Sequence, residues 1–288
     1  MELLIYGIVN SMSLILMTIG FALAYGVSRI PNFSHGALYI LTGYMAYVFF
    51  DMLGLPYFLA ILLALLFIGL VGAALYQFIL IHLRGMAVSE IIASFGVGLA
   101  ILEFLRWAGL RGMAITIPPF IRGTTTVFGV ILDYQRIIII LGGIGILFFI
   151  YIFTSYTKTG LAFKAIAQNE RAALALGINS DRAAVLAVSL GAVLAGLGGV
   201  FLLPLGNITV EMGYEVLIFA LAGSIVGGIG SWKGVVYASF LIGFAQILTV
   251  RYIASHWHFV VALLLIIIVL ILKPSGLYGK QKELEERV

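Results

Sequence analysis

The chain of 288 residues contains no cysteine, which excludes disulfide bonds, thiolate metal sites and thiol-based catalysis. It is also poor in charge, because only 10% of its residues are Asp, Glu, Lys or Arg, against roughly 25% in a typical soluble domain. The net charge of +4 is small and spread over the loops, a pattern that argues against a nucleic-acid partner. No polar block is long enough to form a separate soluble domain.

The sequence also lacks the motifs of a catalytic or nucleotide-binding site. Residues 228–234, GIGSWKG, have neither the spacing of a phosphate-binding P-loop nor a hydroxyl after the lysine. There is no nucleophile–base arrangement, and His82, His256 and His258 have no carboxylate or cysteine at metal-ligand spacing. We therefore predict that the chain is not an enzyme, binds no metal or other cofactor itself, and depends on an outside source of energy.

Apolar sequence is abundant: 63% of the residues are hydrophobic and the mean hydropathy is +1.19. A helix needs about 20 apolar residues to cross roughly 30 Å of hydrocarbon. Nine runs approach that length: 3–27, 36–53, 57–81, 88–108, 137–154, 183–203, 216–230, 235–252 and 259–272. We predict an all-α polytopic membrane protein, a single domain over 1–288, with about nine (eight to ten) transmembrane helices. The run 216–230 is short and glycine-rich, which is typical of a re-entrant or broken helix.

The longest polar interval, residues 157–182, is predicted to be a water-facing loop between two spans, and we call it the polar loop. Its segment 162–176 is rich in Ala and Leu, which favours a short helix that ends at Gly177. Residues 179–181 are N-cap candidates for the next span. Apolar residues recur close to one face of the loop helix: Phe163, Ile166, Ala173, Leu174 and Gly177. Nothing in the loop itself could cover that face, so we expect another protein to cover it.

Three stretches resemble one family of transport proteins. Residues 171–177, RAALALG, resemble the E-A-A-x-x-x-G loop of ATP-binding-cassette (ABC) importer permeases, with Arg171 at the position of the family's Glu and Glu170 one place earlier. Residues 26–44, GVSRIPNFSHGALYILTGY, are similar to the I-N-F-A-H-G-E-L-Y-M-L-G-A-Y stretch of LivH-type branched-chain amino acid permeases. Residues 227–234, GGIGSWKG, are the third match, and the three occur in the family's order.

The resemblance implies a type II-like ABC importer permease that forms the translocation path for branched-chain or other amino acids. It also implies a second homologous permease subunit, two ATPase subunits that hold ATP and Mg²⁺, an extracytoplasmic amino-acid-binding protein and surrounding membrane lipid. The ATPase-coupling residues would be Phe163, Lys164, Ile166, Glu170, Arg171, Ala172, Ala173 and Gly177. Two alternatives stay open: an importer of the same class for urea, amides, nucleosides or sugars, and a stand-alone channel or secondary carrier.

Two further stretches are candidates for the substrate path. The first consists of residues whose polar groups could replace the hydration shell of a zwitterionic or amide substrate: Asn32, Ser34, His35 and Gly36. The second is a glycine-rich stretch where we expect the backbone to break near mid-membrane: Gly223, Gly227, Gly228, Gly230 and Ser231. The competing structural interpretations are a turn with Ser34 as the next helix's cap for the first stretch, and close helix packing for the second.

Loop charges predict the orientation through the positive-inside rule. With nine alternating spans and a cytoplasmic polar loop, eleven Lys and Arg residues lie inside and five outside. We therefore predict a multi-pass protein of the cytoplasmic (inner) membrane, with its N-terminus outside, its C-terminus in the cytoplasm and the charged tail 280–287 as an anchor. The loop 109–136 is predicted to be a structured extracytoplasmic hairpin, Glu103 and Arg106 a neutralising pair, and Glu90 a helix cap.

Overall fold

The computed structural model describes residues 1–110 and 115–279, so Arg111 and the predicted anchor 280–287 lie outside the described residues. Helices make up most of this part of the chain, and they are α1 (Glu2–Ser28), α2 (His35–Tyr47), α3 (Tyr57–Leu75), α4 (Ile81–Leu83), α5 (Ala87–Leu105), α6 (Tyr134–Tyr156), α7 (Lys158–Gln168), α8 (Glu170–Ala175), α9 (Ser180–Leu202), α10 (Glu211–Gly227), α11 (Trp232–Tyr252) and α12 (His258–Leu272). Turns of π-helix continue α2, join α3 to α4 and extend α5: Val48–Met52, Tyr76–Leu80 and Arg106–Leu110. Single 3-10 turns follow α9 and precede α12: Leu203–Leu205 and Ser255–Trp257.

Seven helical stretches of the described residues are long and apolar enough to cross a membrane: Glu2–Ser28, Tyr57–Leu83, Ala87–Gly109, Tyr134–Tyr156, Ser180–Leu205, Trp232–Tyr252 and Ser255–Leu272. The predicted all-α membrane fold is therefore confirmed, and the predicted count of nine is approximate. The other two predicted spans, 36–53 and 216–230, correspond to α2 and α10, which have only 13 and 17 residues. Both helices are largely buried inside the bundle, so they face protein more than lipid.

The helix α2 begins beside the middle of α1. A ring nitrogen of His35, the first residue of α2, lies 2.9 Å from the carbonyl oxygen of Met17. At 1.5 Å per residue, Met17 is about 16 Å along α1 from Ser28. The chain reverses at Arg29, whose φ of 59° is left-handed, and returns along α1 before α2 starts. The segment 29–34 is therefore non-helical backbone that is covered by protein at membrane depth.

Small residues let the central helices approach each other at backbone distance. A methyl group on Gly36 of α2 would fall 1.8 Å from the carbonyl oxygen of Gly213 on α10. A methyl group on Gly191 of α9 would fall 2.7 Å from the carbonyl oxygen of Gly20 on α1. Without a hydrophobic force between helices in lipid, such close packing is a main source of their association. The core of the molecule is thus the contact of α1 and α9 with the two short helices.

A two-stranded hairpin occupies the loop before α6. Strand β1 (Thr124–Val127) pairs antiparallel with β2 (Val130–Asp133), and Thr124 lies opposite Asp133. The two residues between the strands both have positive φ, 49° and 80°, as a two-residue hairpin turn requires. The prediction of a structured hairpin in this loop is confirmed, and its position on the outer side stays a prediction.

Candidate coupling loop and substrate path

Polar caps divide the polar loop into two short helices. Asn169 Oδ1 accepts a hydrogen bond from the backbone N–H of Ala172 at 3.0 Å and begins α8, so the single helix predicted over 162–176 is in fact two. Gly177 has a left-handed φ of 80° just after α8, as the prediction of a helix stop requires. Asn179 is the N-cap of α9, because its Oδ1 accepts an N–H bond at 2.8 Å. Local sequence therefore sets most of the loop's shape.

One apolar side of the loop packs on the chain itself. The exposed fractions of Phe163, Ile166 and Ala173 are 2%, 0% and 2%. The ring of Phe163 meets that of Phe153 on α6 edge-on, with centroids 5.5 Å apart, and α7 also contacts α1 and α9. The prediction that another protein covers this face is therefore wrong for these three residues, because the ends of the spans already cover them.

The opposite side of the loop is exposed and partly apolar. Leu174 and Leu176 are 51% and 81% exposed, and Leu161 is exposed to a similar degree. The predicted coupling residues Arg171, Ala172 and Gly177 share this exposure. Lys164 is also exposed, but it lines the recess between α7, α1 and the start of α11. Large exposed leucines on a polar loop differ from exposed leucines on a span, since lipid does not surround them. This side of the loop is the surface that a partner protein could cover.

Arg84, between α4 and α5, ties the polar loop to the transmembrane helices. Its guanidinium group forms ion pairs with Glu170 and Asp181 and donates a hydrogen bond to Ser180 Oγ at 2.8 Å. Burial lowers the pKa of Arg84, but Tyr76 and the two carboxylates outweigh this and raise it overall, so the group stays charged. Sequence analysis missed Arg84, because its partners lie far along the chain. Glu170, one place before the family's Glu position, therefore forms its ion pair with a residue of the same chain.

The first candidate for the substrate path forms a buried hydrogen-bonded turn. Asn32 Oδ1 accepts bonds from the backbone N–H of Ser34 at 3.1 Å and from its hydroxyl at 2.6 Å. Ser34 occupies the N-cap position of α2, as the turn interpretation predicts, but its hydroxyl makes no cap hydrogen bond. The ring of His35 packs edge-on against Phe21, with centroids 5.6 Å apart. Gly36 completes the stretch by its contact with α10. These polar groups already have partners within the chain.

The second candidate stretch is helical for longer than expected. Gly223 packs on Thr18, and α10 continues as a helix through Gly227. The backbone breaks at Gly228 and Gly230, whose φ values are 99° and 80°. A methyl group on Gly230 would fall 3.2 Å from the Cα of Gly26, in the last turns of α1. The predicted break is therefore real, but it lies near the end of α1 instead of at mid-membrane.

The two candidate stretches do not meet each other. Gly228 contacts Gly279, and the hydroxyl of Ser231 caps α11 by accepting from the N–H of Gly234 at 3.2 Å. The first stretch lies beside the middle of α1, whereas the second lies beside its end. Whether either stretch contacts a substrate stays a prediction.

Helix α5 connects the polar loop to the first stretch. Glu90 lies in the first turn of α5, and its carboxylate accepts a hydrogen bond from the backbone N–H of Gly85 at 2.7 Å. Gly85 precedes the N-cap residue Met86, so this bond holds the turn before the helix and is not a cap of the helix itself. One turn further, Ser94 Oγ accepts from the N–H of Phe33 at 3.1 Å. A methyl group on Gly98 would lie 3.1 Å from the Cα of Ser34, so α5 and the segment 29–34 are in backbone contact. Ser94 and Gly98 are small residues four apart, a spacing typical of close packing, but the spacing did not show that the segment 29–34 is their partner.

Charged and polar groups near the other end of α5 also find partners. Arg106 pairs with Glu103 at 2.8 Å, as predicted, and with Glu211 of α10 at 3.3 Å. Three hydroxyls are buried without a hydrogen-bond partner in the described residues, and they belong to Tyr39, Tyr76 and Ser224. Ser224 lies in the glycine-rich part of α10. An ordered water would supply the bond that such a buried hydroxyl lacks.

Comparison with known proteins places the whole chain in one group. A family model described as "Branched-chain amino acid transport system / permease component" matches residues 3–270. The high-affinity branched-chain amino acid transport system permease protein BraD of Pseudomonas aeruginosa is 26% identical over 97% of this chain and 96% of its own length. The corresponding permease protein LivH of Escherichia coli K12 is 27% identical over 92% of this chain and 91% of its own.

A solved structure has a similar fold. PsaBC from Streptococcus pneumoniae, determined in complex with Fab, aligns with a TM-score of 0.52 over 96% of this chain and 94% of that one. The sequence identity is 16%, so the similarity concerns the fold alone.

Proposed function

The chain belongs to the branched-chain amino acid transport system permease family, and from that premise we propose that it is the permease subunit of an ABC importer. In this proposal it forms the translocation path for branched-chain or other amino acids. The observation that carries the proposal is the family match over residues 3–270. Apart from Glu2 and the last two residues of Ser255–Leu272, it includes all the candidate spans among the described residues. The chain would bind no cofactor, because ATP and Mg²⁺ would be held by the partner ATPases.

The polar loop is proposed to be the ATPase-docking element. Its exposed side, with Leu174, Leu176 and Arg171, offers apolar and charged contacts, while its buried side rests on α1, α6 and α9. Two ATPase subunits, a second homologous permease and an extracytoplasmic amino-acid-binding protein complete the proposed assembly. The orientation that fits it has the polar loop and the C-terminus in the cytoplasm and the N-terminus outside.

The contacts around Arg84 suggest how movement of the loop would reach the membrane interior. ATP-driven closure of the ATPases would displace α7 and α8, and the ion pair of Glu170 would transmit that displacement to Arg84, which precedes α5. The ion pair of Asp181 also joins Arg84 to the start of α9. Ser94 of α5 holds Phe33 in the segment before α2. Rocking of α5 would therefore move the Asn32–His35 turn, and a rigid-body change of this kind can open the path on one side and close it on the other.

The docking proposal is tested by co-purification with the ATPase. We expect Leu174→Asp combined with Leu176→Asp to abolish association, because two charges would replace the apolar contact while the buried side keeps the loop folded. Phe128→Asp is the matched control, since Phe128 is also exposed but lies on the hairpin at the opposite end of α6. If association survives complete scrambling of residues 161–177, the polar loop is not the docking element.

Cargo and energy source are tested by uptake into proteoliposomes. We expect radiolabelled leucine to accumulate only when the ATPase subunits, ATP and the binding protein are all present. Unlabelled branched-chain amino acids should compete, and urea, nucleosides and sugars should not. Uptake without any ATPase would identify a channel or secondary carrier instead, and competition by urea or a nucleoside would change the substrate class.

A further inference from the structure

A cavity of about 420 Å³ lies where α7 meets the ends of the spans. One wall is apolar and belongs to α1, with Ala22, Leu23 and Val27. A second wall consists of the last turns of α6, including Tyr151 and Thr154. The glycine-rich turn between α10 and α11 closes the third side. The cavity thus extends from residues of the candidate spans to α7 in the polar loop. Such a position, between an apolar span and a polar loop, corresponds to the membrane interface.

The polar side of the cavity is basic. Lys164 of α7 and Lys233 at the start of α11 both line it, and both are exposed. No Asp or Glu is among its lining residues in the described part of the chain. Gln168 and Ser155 add hydrogen-bonding groups, and the ammonium of Lys233 lies 5.7 Å from the ring centroid of Trp232. Among the described residues, neither cation has a carboxylate partner in the cavity, and an apolar wall lies beside them. This arrangement is complementary to an amphipathic anion.

We propose that this cavity binds an anionic glycerophospholipid. Its phosphate would lie between Lys164 and Lys233, and an acyl chain would lie along the apolar wall of α1. A basic recess between transmembrane helices at the membrane surface has the chemistry that recognises such head groups. The bound lipid would contact both α7 and the start of α11. The lipid would belong to the cytoplasmic leaflet, and only this choice of leaflet rests on the proposed function.

The test uses photo-cross-linking in nanodiscs that contain the full chain without partner subunits. The membrane is made of phosphatidylcholine with a small fraction of phosphatidylglycerol carrying a diazirine near its head group, and in a second sample the same probe is built on phosphatidylcholine. Mass spectrometry then measures labelling of the cavity peptides 151–168 and 229–234. We expect the anionic probe to label them at least about fivefold more than the neutral probe, because each lysine near the surface favours an anionic lipid.

Matched variants locate the effect. Lys164→Ala combined with Lys233→Ala should reduce labelling by the anionic probe to the level of the neutral one. Lys158→Ala should leave it unchanged, since Lys158 is an exposed lysine of the same helix that does not line the cavity. Equal labelling by both probes, no labelling of the cavity peptides, or an unchanged preference in the double variant would each overturn the proposal. Labelling is measured without ATP or transport, so its outcome is independent of whether the ATPase-docking proposal holds.

Discussion

The interior of the bundle and the polar loop are held together by opposite means. In the interior, Gly36 and Gly213 have no side chains, so the backbones of α2 and α10 come into direct contact at these positions. In the loop, Asn169 and Asn179 cap short helices, and Arg84 fixes them to the spans through charge. Lipid forms no hydrogen bonds with the chain and gives helices no hydrophobic reason to associate, so close packing stabilises the interior. The loop is exposed to water, so side-chain caps and ion pairs hold its short helices in place. Substitutions that add volume should therefore damage the interior, and substitutions that remove polar groups should damage the loop.

The largest effect is expected for Gly36→Val, which would force side-chain atoms into the carbonyl of Gly213. Because backbone atoms cannot move aside, we expect a loss of at least about 4 kcal/mol, which is exceptional for one substitution. Denaturant titration in detergent measures it. Gly96→Val is the matched control, because Gly96 is on an exposed face with no atom within 4 Å of the added Cβ. Equal losses at the two positions would contradict the proposed backbone packing.

The second prediction separates the two sides of the polar loop. Phe163→Ala should cost about 3 kcal/mol, because it removes a buried ring and leaves a cavity. Leu174→Ala should change stability by less than about 0.5 kcal/mol, because Leu174 is half exposed. The same denaturant titration compares them. The order should reverse for ATPase association, where Leu174→Ala is expected to have the larger effect. A similar stability loss for both variants would mean that the loop does not have two different sides.

The third prediction concerns the ion pairs that attach the loop. Arg84→Ala should cost about 1.5 kcal/mol, since it leaves Glu170 and Asp181 without their cation, although all three groups are partly exposed to water. Hydrogen exchange of residues 169–181 should increase, and it is measured by mass spectrometry. The double variant Arg84→Glu with Glu170→Arg, which swaps the two charges, should restore part of the protection of these residues against hydrogen exchange. Unchanged exchange in Arg84→Ala would show that the caps alone hold the loop.

The smallest effect is expected for the cap of α9. Asn179→Ala removes the acceptor for an N–H group at the helix start and should cost about 1 kcal/mol. Asn179→Ser keeps an acceptor at that position and should cost less. Melting temperatures of the two variants in detergent provide the comparison. Identical values would indicate that packing of α9 on α1 masks the contribution of the cap.

Much of the fold followed from local sequence. Long apolar runs predicted the spans, because in lipid a single segment can form all its backbone hydrogen bonds internally only as a helix. Gly177 and Asn179 predicted where helices end and begin, since both act through neighbouring backbone atoms. Glu103 and Arg106 were predicted as a pair because their spacing places them on one helix face. Each of these predictions depends on residues within a few positions of one another.

The predictions failed where the structure depends on contacts between residues that are far apart in the sequence. Hydropathy could not show that α2 starts beside Met17, because that depth depends on how the segment 29–34 folds back along α1. Periodicity identified Phe163 and Ile166 as one apolar face, but it could not show that the chain itself covers that face. The partners of Arg84 are likewise far away in sequence and gave no local signal.

The sequence by itself therefore determined the membrane class, most of the helices and the position of the polar loop, because apolar length and capping act locally. Only the tertiary structure decided which side of that loop is free, where the glycine-rich break lies, and how Arg84 connects the loop to the spans. The physical reason is that close packing and ion pairing depend on which surfaces meet, and that is set by the arrangement of all the helices together.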